Sequence, residues 1–528
     1  MLNARCRPSL IFSLRRHFNI QARPHVEDER WPGWQVLVGI ETHAQIKSRR
    51  KLFSGASTDS TKAQANINVS VFDASFPGTL PSLNGTCVDL AIRAALALKS
   101  SVQTWSTFDR KHYFYSDLPV GYQITQRYAP FARGGFVQCD ENMVNIQQIQ
   151  LEQDTGKSTF DPRTRTSFID LNRAGTGLLE IVTHPDMRSP EEAAVYVRNL
   201  QALLRAVGAS DGNMELGSFR CDVNVSVNRM GDPPGVRCEI KNLNSVKFMT
   251  IAITSEVKRQ IDHLTTTGTG VSQETRGFSE HSFETYTLRS KEDAPEYRYM
   301  PDPNIPPLQI SQDHINCVRA TLPALPDQVR EKLLVHYGLP RRDVDVLMSI
   351  DNGKDVMFDG EENKKGAFAY FEELCAPGRS PKVVSNWMIH ELLGQLSARK
   401  ESFLECAIDA NRFGELMDLV TNGLVTRTSA KLIIQQLLSE TEGRKSPRAF
   451  AEELQLLALP STAEDDGELT ALCRDAIQSL PGEVAAVRKG NTNVLNKIVG
   501  KVMKESRGRV DAKKARLCLE ELLRSANQ

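Results

Sequence analysis

The chain has 528 residues and a mass of 58.9 kDa, with 65 Lys and Arg balanced by 65 Asp and Glu. At roughly 100–200 residues per domain, that length accommodates about three or four domains. Apolar residues make up 40% and recur with helix and strand periods, which excludes a wholly disordered chain. No uncharged apolar run approaches the ~18–20 residues that cross a bilayer, which excludes a membrane-spanning helix.

The charge balance is uneven. Residues 1–25 hold five arginines (Arg5, Arg7, Arg15, Arg16, Arg23) and no acid, the first acidic residue being Glu27. Leu10, Ile11, Leu14 and Phe18 fall on one helical stripe beside Arg15 and Arg16. An Arg-rich, acid-free, amphipathic start predicts a mitochondrial transit peptide over residues 1–30 and delivery to the matrix. A secretory signal would need an apolar core of ~7–15 residues, and Leu10–Leu14 is shorter. Ten cysteines are scattered without a Cys-x-x-Cys pair, so zinc-ribbon and dithiol chemistry are not expected and the thiols read as buried and reduced.

From Trp34 to about Pro307, short strands alternate with Gly/Pro/Asn turns and a few helices; from about residue 320 the pattern is helical. The predicted class is α+β followed by all-α. Four prolines within Pro301–Pro307 and a polar, acidic hinge at Leu459–Gly467 divide the chain into 31–310, 311–458 and 459–528.

In Val36–Gln45, Val36, Val38 and Ile40 share one strand face, and Leu37, Gly39, Glu41 and His43 share the other. Ser189-Pro-Glu-Glu192 is a capping box that opens a scaffold helix ending before Gly208. Phe219–Asn228 alternates strictly, as does Val236–Lys241, and the turn residues of Met230–Gly235 predict a hairpin between them. Its polar face lines Arg220, Asp222 and Asn224 up beside Arg237, Glu239 and Lys241. A solvated face is the competing reading.

Familiar nucleotide motifs are missing. Gly156-Lys157-Ser158 resembles the end of a P-loop, but Leu151 stands where the first glycine is required. Gly-x-Gly-x-x-Gly, His-Glu-x-x-His and Gly-x-Ser-x-Gly are absent. Carboxylates in apolar settings stand out instead. Glu41 and His43 project the same way from one strand. Glu152 and Asp154 follow a strand-like run. Glu180 lies inside Gly177-Leu-Leu-Glu-Ile-Val182, where an unpaired charge is costly. A histidine with two or three carboxylates suits a hard divalent cation such as Mg2+ shared with phosphates; structural ion pairs are the competing reading. Lys241 and the helix start at Asn244 or Ser245 form a candidate phosphate cradle. Arg289, Lys291 and Tyr297-Arg-Tyr299 add cations and aromatics just before the prolines.

Between Arg488 and Arg516, ten basic residues face two acids. Lys497, Lys501 and Lys504 share one helical face, opposite Leu495, Ile498, Val499 and Val502. Ser506-Arg507-Gly508-Arg509 reads as a flexible turn, with Lys513 and Lys514 beyond it. Such concentrated charge suits a polyanion.

Collinear segments carry a resemblance: GIETHAQIKSRRKLFS (39–54), DRKHYFYSDLPVGYQIT (109–125), LEQDTGKS (151–158), DLNRAGTGLLEIV (170–182), RCDVNVSV (220–227), CEIKNLNS (238–245) and DAPEYRYMPDPNIPPL (293–308). They resemble the B-type subunits of the glutamyl-tRNA(Gln) amidotransferases, and VLNKIVGKVMKESRGRVDAKK (494–514) resembles that family's tRNA-binding tail. The resemblance implies a β-rich cradle that uses ATP and Mg2+ to phosphorylate the γ-carboxylate of Glu-tRNA(Gln). Ammonia from a partner amidase (glutaminase) then displaces the phosphate, and a small clamping protein, or its mitochondrial equivalent, accompanies the pair. It places catalysis on Glu41, His43, Glu152 and Glu180, with metal ligation by Glu41, His43, Glu180 and the LEQD segment. In that segment Gln153 stands where the family has a second acid, so either Glu152 or Gln153 could point inward. From the residues themselves, phosphate contacts are expected at Lys241, Asn244, Ser245, Arg289 and Lys291; the basic tail, with the resemblance, puts tRNA contacts on Lys497, Lys501, Lys504, Arg507, Arg509, Lys513 and Lys514. A scaffold protein that binds tRNA without chemistry is the alternative, and a self-sufficient ATP-dependent ligase is a third.

Overall fold

The computed structural model describes residues 28–59, 64–140, 142–290, 297–353, 355–361, 365–440, 445–458, 466–488, 491–506 and 508–525. The Arg-rich leader, Lys291 and Arg507 lie outside the described residues.

The N-terminal half is built on one large sheet. Its long strands are β1 (Trp34–Gln45), β4 (Asn142–Gln153), β5 (Gly177–Thr183) and β6 (Phe219–Arg229). Beyond β6 lie β7 (Cys238–Leu243), β8 (Glu274–Ser279) and β9 (Glu284–Ser290), giving the order β9-β8-β7-β6-β1-β5-β4. Two short strands continue past β4, and only β7–β8 is parallel among the strands named here. The first strand in sequence therefore sits centrally, paired on both sides. Three further strands, β2 (Asp109–His112), β3 (Tyr122–Thr125) and β10 (Arg298–Pro301), form a separate sheet in the order β10-β2-β3.

Alternation decides what each face buries. Val36, Val38, Ile40 and Thr42 of β1 are buried with Cys221, Val223 and Val225 of β6. The helices α1 (Pro190–Ala206) and α2 (Val246–Thr267) pack with them, α2 fixing its place through Gln260, whose Nε2 donates to the Val225 carbonyl at 3.1 Å. Ser189 caps α1 by accepting the Glu192 amide at 3.1 Å, and Gly208 stops it at φ +71°. The opposite sheet face carries the polar residues.

The predicted hairpin forms, but its second strand starts late. Val236 is 45% exposed and Arg237 is exposed, and the ladder begins at Cys238 opposite Val225. Pro233 and Pro234 have no amide to donate. Gly235 then passes so close to β6 that a Cβ would lie 2.1 Å from the Val227 oxygen.

Downstream of Gln309 the chain is helical, as expected. One apolar cluster spans Trp31 to Leu325, a second Val329 to Leu456, and a third Cys473 to Leu523. The second is tied to the first by the loop Phe358–Glu361: the Asp359 amide donates to the Lys47 carbonyl at 2.8 Å, and its carboxylate accepts the Arg49 amide at 2.9 Å. The expectation of a flexible turn at 506–509 is corrected. Ser506 is fully buried, and the Gly508 carbonyl accepts hydroxyls from Thr426 and from Ser429 (3.3 Å) at the start of α3 (Arg427–Ser439). Hydroxyls at that helix start had a carbonyl to bind, so the turn is docked.

Candidate active site

Strand parity gathers the polar side chains on one face of the sheet. Glu41, His43 and Gln45 project together from β1. His43 stands opposite Glu180 on β5 and opposite Arg220 on β6, and Glu41 stands opposite Asp222. On β4, Gln150 faces Glu180, and Glu152 faces Leu178.

One carboxylate or imidazole atom from each of Glu41, His43 and Glu180 lies within 4.8 Å of the others, the single such group of three among the described residues. His43 Nε2 is 3.6 Å from Glu41 Oε1 and 3.9 Å from Glu152 Oε1. Gln150 donates to Glu180 Oε1 at 2.9 Å, and Gln123 of β3 donates to Glu152 Oε1 at 2.6 Å. The second Glu152 oxygen is buried without a partner. Burial, followed by the neighbouring Glu152 and Glu41 carboxylates, pushes the Glu180 carboxyl well above its usual range, against the opposing charge of Lys111. Burial alone would lower the Lys111 ammonium, but Glu152 and Glu180 outweigh it and hold it raised. Crowded buried carboxylates with an orphaned oxygen and one imidazole are the donor set of a hard divalent cation, so the residues fit Mg2+.

Two flanking groups have other commitments. Asp154 takes a two-pronged contact from Arg220 (2.9 and 3.2 Å) and a hydrogen bond from Gln45 at 2.9 Å. Burial would raise its carboxyl, yet Arg220 and Arg173 keep it below the usual range. Lys241 is aimed by a bulge: Lys241 and Asn242 together oppose Asp222, with Asn242 at φ +62°. Its Nζ sits 2.6 Å from Asp222 and 3.1 Å from Glu239.

Residues 36–316 match the family described as the GatB/GatE catalytic domain, and residues 369–523 match the one described as the GatB domain. The chain belongs to the GatB family. It is 57% identical to the mitochondrial glutamyl-tRNA(Gln) amidotransferase B subunit of Laccaria bicolor, covering 97% of this chain and 96% of that one. Identity to the corresponding mitochondrial protein of Mycosarcoma maydis is 45%, covering 91% and 85%. To the aspartyl/glutamyl-tRNA(Asn/Gln) amidotransferase B subunit of Rickettsia canadensis it is 42%, covering 90% and 95%.

Within this GatB-family chain, the site residues expected from the sequence separate into groups. Glu41, His43, Glu152 and Glu180 come together. Gln153 does not: as the neighbour of Glu152 on β4 it projects from the opposite face, where its Oε1 is buried without a partner, so Glu152 is the inward residue. Ser245, rather than exposed Asn244, caps α2 by accepting the Phe248 amide at 3.1 Å. Arg289 lies on β9, four strands from β1 and so about 19 Å away at ~4.8 Å per strand, bonded to Thr275 at 3.4 Å. On α4 (Leu495–Glu505) and α5 (Ala512–Ser525), the helices that contribute to the third apolar cluster, Lys497, Lys504, Lys513 and Lys514 are exposed, whereas Lys501 pairs with Glu505 at 3.0 Å. Arg509 pairs with Glu468 at 3.3 Å. Lys111, Gln123 and Gln150 were missed. Only the density of polar and aromatic residues in DRKHYFYSDLPVGYQIT could have signalled the first two.

Proposed function

We propose that this mitochondrial protein performs the activation and amidation half of Gln-tRNA(Gln) synthesis. The observation that carries the reading is the convergence of Glu41, His43, Glu152 and Glu180 on one largely buried face. A γ-carboxylate is a poor acceptor for ammonia. Transfer of the ATP γ-phosphoryl group to a carboxylate oxygen yields ADP and an acyl phosphate. Ammonia then adds to the carbonyl carbon, phosphate leaves with the former carboxylate oxygen, and the nitrogen loses a proton.

Glu41, His43, Glu152 and Glu180 would hold Mg2+, which supplies charge neutralisation for the phosphates. Lys111 keeps the acids' net charge low enough for a triphosphate to approach. Lys241, with the amide-rich start of α2, is positioned to hold phosphate once it exchanges Asp222 and Glu239 for it. Burial of the face keeps water from the acyl phosphate. The ammonia source is a partner amidase, since no glutaminase constellation is read in this chain, and a small clamping protein completes the assembly in the matrix. The scaffold alternative leaves the cost of packing three carboxylates together unexplained. ATP-dependent formation of Gln-tRNA(Gln) by the assembled complex, assayed with and without this chain, tests the proposal; no dependence on the chain overturns it.

A further inference from the structure

The third apolar cluster is small for the length of chain it holds. It joins the helix Asp466–Ser479 to α4 and α5, and Cys473, Ala476 and Ala515 stand in its buried centre beside Ile498 and Leu519. A core built around alanines and a cysteine gives a small unit little stability, and such units are often stapled covalently.

Cys473 is placed to be one end of such a staple. Its side chain is fully buried, and its thiol reaches two groups on α5. One is the Ala515 carbonyl, at 4.0 Å. The other is the sulfur of Cys518, one turn further along, with which it shares a hydrogen bond. Cys518 is half-buried at the edge of the cluster, so one sulfur faces the core and the other is partly open to solvent. The buried thiols of the large sheet face oxygens instead: Cys221 lies 3.8 Å from the Thr42 hydroxyl, and Cys238 lies 3.4 Å from the Ser272 carbonyl.

The two positions play different parts. Burial, and then the nearby Cys518 sulfur, push the Cys473 thiol up to about 12, so it stays protonated at neutral pH. Oxidants react with accessible thiolates, which makes the half-buried Cys518 the first to be attacked.

We infer that Cys473 and Cys518 close a reversible disulfide when the protein meets hydrogen peroxide. The Cys518 thiolate attacks one peroxide oxygen, the O–O bond breaks, and hydroxide leaves behind a sulfenic acid. The Cys473 sulfur then attacks the Cys518 sulfur, the S–O bond breaks, and the departing hydroxide takes the Cys473 proton to become water. Over both steps two thiols give up two electrons and two protons, and one peroxide becomes two waters. A dithiol reductant of the thioredoxin type returns both thiols, so in a reducing compartment the bond is transient. It encloses a loop of about 45 residues that contains α4 and the turn docked on α3. Because the two sulfurs are already hydrogen-bonded, closure leaves the helices, and Lys513 and Lys514 at the start of α5, where they are.

The test is non-reducing peptide mapping of the assembled complex after treatment with excess hydrogen peroxide. A peptide joining Cys473 to Cys518 within one chain is expected, and thioredoxin with its reductant should release it. Limited proteolysis during heating should show the tail becoming cleavable about 5–15 °C higher in the oxidised complex, a shift that reduction abolishes. In Cys473→Ser, which lacks the second sulfur, Cys518 should run on to a sulfinic or sulfonic acid that thioredoxin does not reverse. Cys317→Ser, at an exposed thiol outside the tail, should leave the link intact. Absence of the link overturns the inference, as does sulfinic acid at Cys518 of the wild type, a link between chains or an unchanged cleavage temperature. If Cys473→Ser fails to fold, the wild-type map decides alone.

Discussion

His43 and Glu180 stand directly across from one another on β1 and β5, although they lie 137 positions apart in the chain. Only the sheet brings them together, and with Glu41 they supply three donor atoms within 4.8 Å. Replacing His43 with Ala or Glu180 with Gln is expected to abolish Gln-tRNA formation while tRNA affinity stays within a few-fold. Titration with Mn2+, followed by electron paramagnetic resonance, should show a lost or weakened site in both variants. Normal turnover in either would remove these residues from the chemistry.

Lys241 lies between two acids, and its loss has two consequences. In Lys241→Ala the buried Asp222 keeps its charge without its nearest cation, costing about 3 kcal/mol of stability by analogy with broken buried pairs. Phosphoryl transfer should slow or demand more ATP, whereas glutamine hydrolysis by the partner without tRNA should be spared. Unchanged ATP dependence would reduce Lys241 to a structural partner of Asp222 and Glu239.

The tail is attached where Gly508 meets α3. Gly508 has φ +79°, and a Cβ there would lie 3.0 Å from Thr428 Cγ2. Gly508→Ala should loosen the contact and expose new protease sites between residues 458 and 508. Truncation at about Glu464 should raise the KM for Glu-tRNA(Gln) and flatten the salt dependence of binding, because fewer counterions are released. An unchanged salt slope would place the tRNA grip elsewhere.

How much of this could be read from the chain depends on whether a feature is local. The faces of β1 and the Ser189 cap are set by alternation and local capping, and they form where the pattern puts them. The hairpin pairs the expected strands, but its second strand begins at Cys238, two residues later than the alternation implied. Sheet order is not local: nothing in Gly177–Val182 says that it inserts between β1 and β4, so Gln150 opposite Glu180 was invisible. Parity would have separated Glu152 from Gln153 once the strand's end was known, and strand ends are the least determined feature of a pattern. Arg509 illustrates a tertiary override. A Gly-containing basic run reads as mobile, yet hydroxyls 79 and 82 residues upstream hold its backbone.

Away from the acid cluster, fully buried Glu256 is clasped by Arg259 (2.7 Å) and Arg276 (3.1 Å). Burial would raise its carboxyl, but hydrogen bonds from Arg259 and Gln260, with the charges of Arg259 and Arg276, hold it below 4.5. The unfolded chain thus takes up a proton near 4.5 while the folded one does not. The pair's stabilisation is complete above that pH and is lost as pH falls through the lower folded value. Glu256→Gln should cost about 3 kcal/mol at pH 7, and the gap from wild type should close on acidification in urea melts. A gap independent of pH would assign the cost to packing.

The central place of β1 has a consequence for biogenesis. A chain that emerges N-terminus first, from a ribosome or a translocation pore, delivers the middle strand before either neighbour exists. More than a hundred residues must follow before β5 arrives, on the order of ten seconds at ~5–20 residues per second. Throughout that interval Val36, Val38 and Ile40 present an apolar face flanked by two unpaired edges, the geometry that invites strand-to-strand aggregation. Nascent chains stalled before residue 177 should therefore be held by chaperones until release, and chains stalled beyond residue 243 should let go of them; equal chaperone occupancy at both lengths would mean that β1 is shielded by some earlier contact.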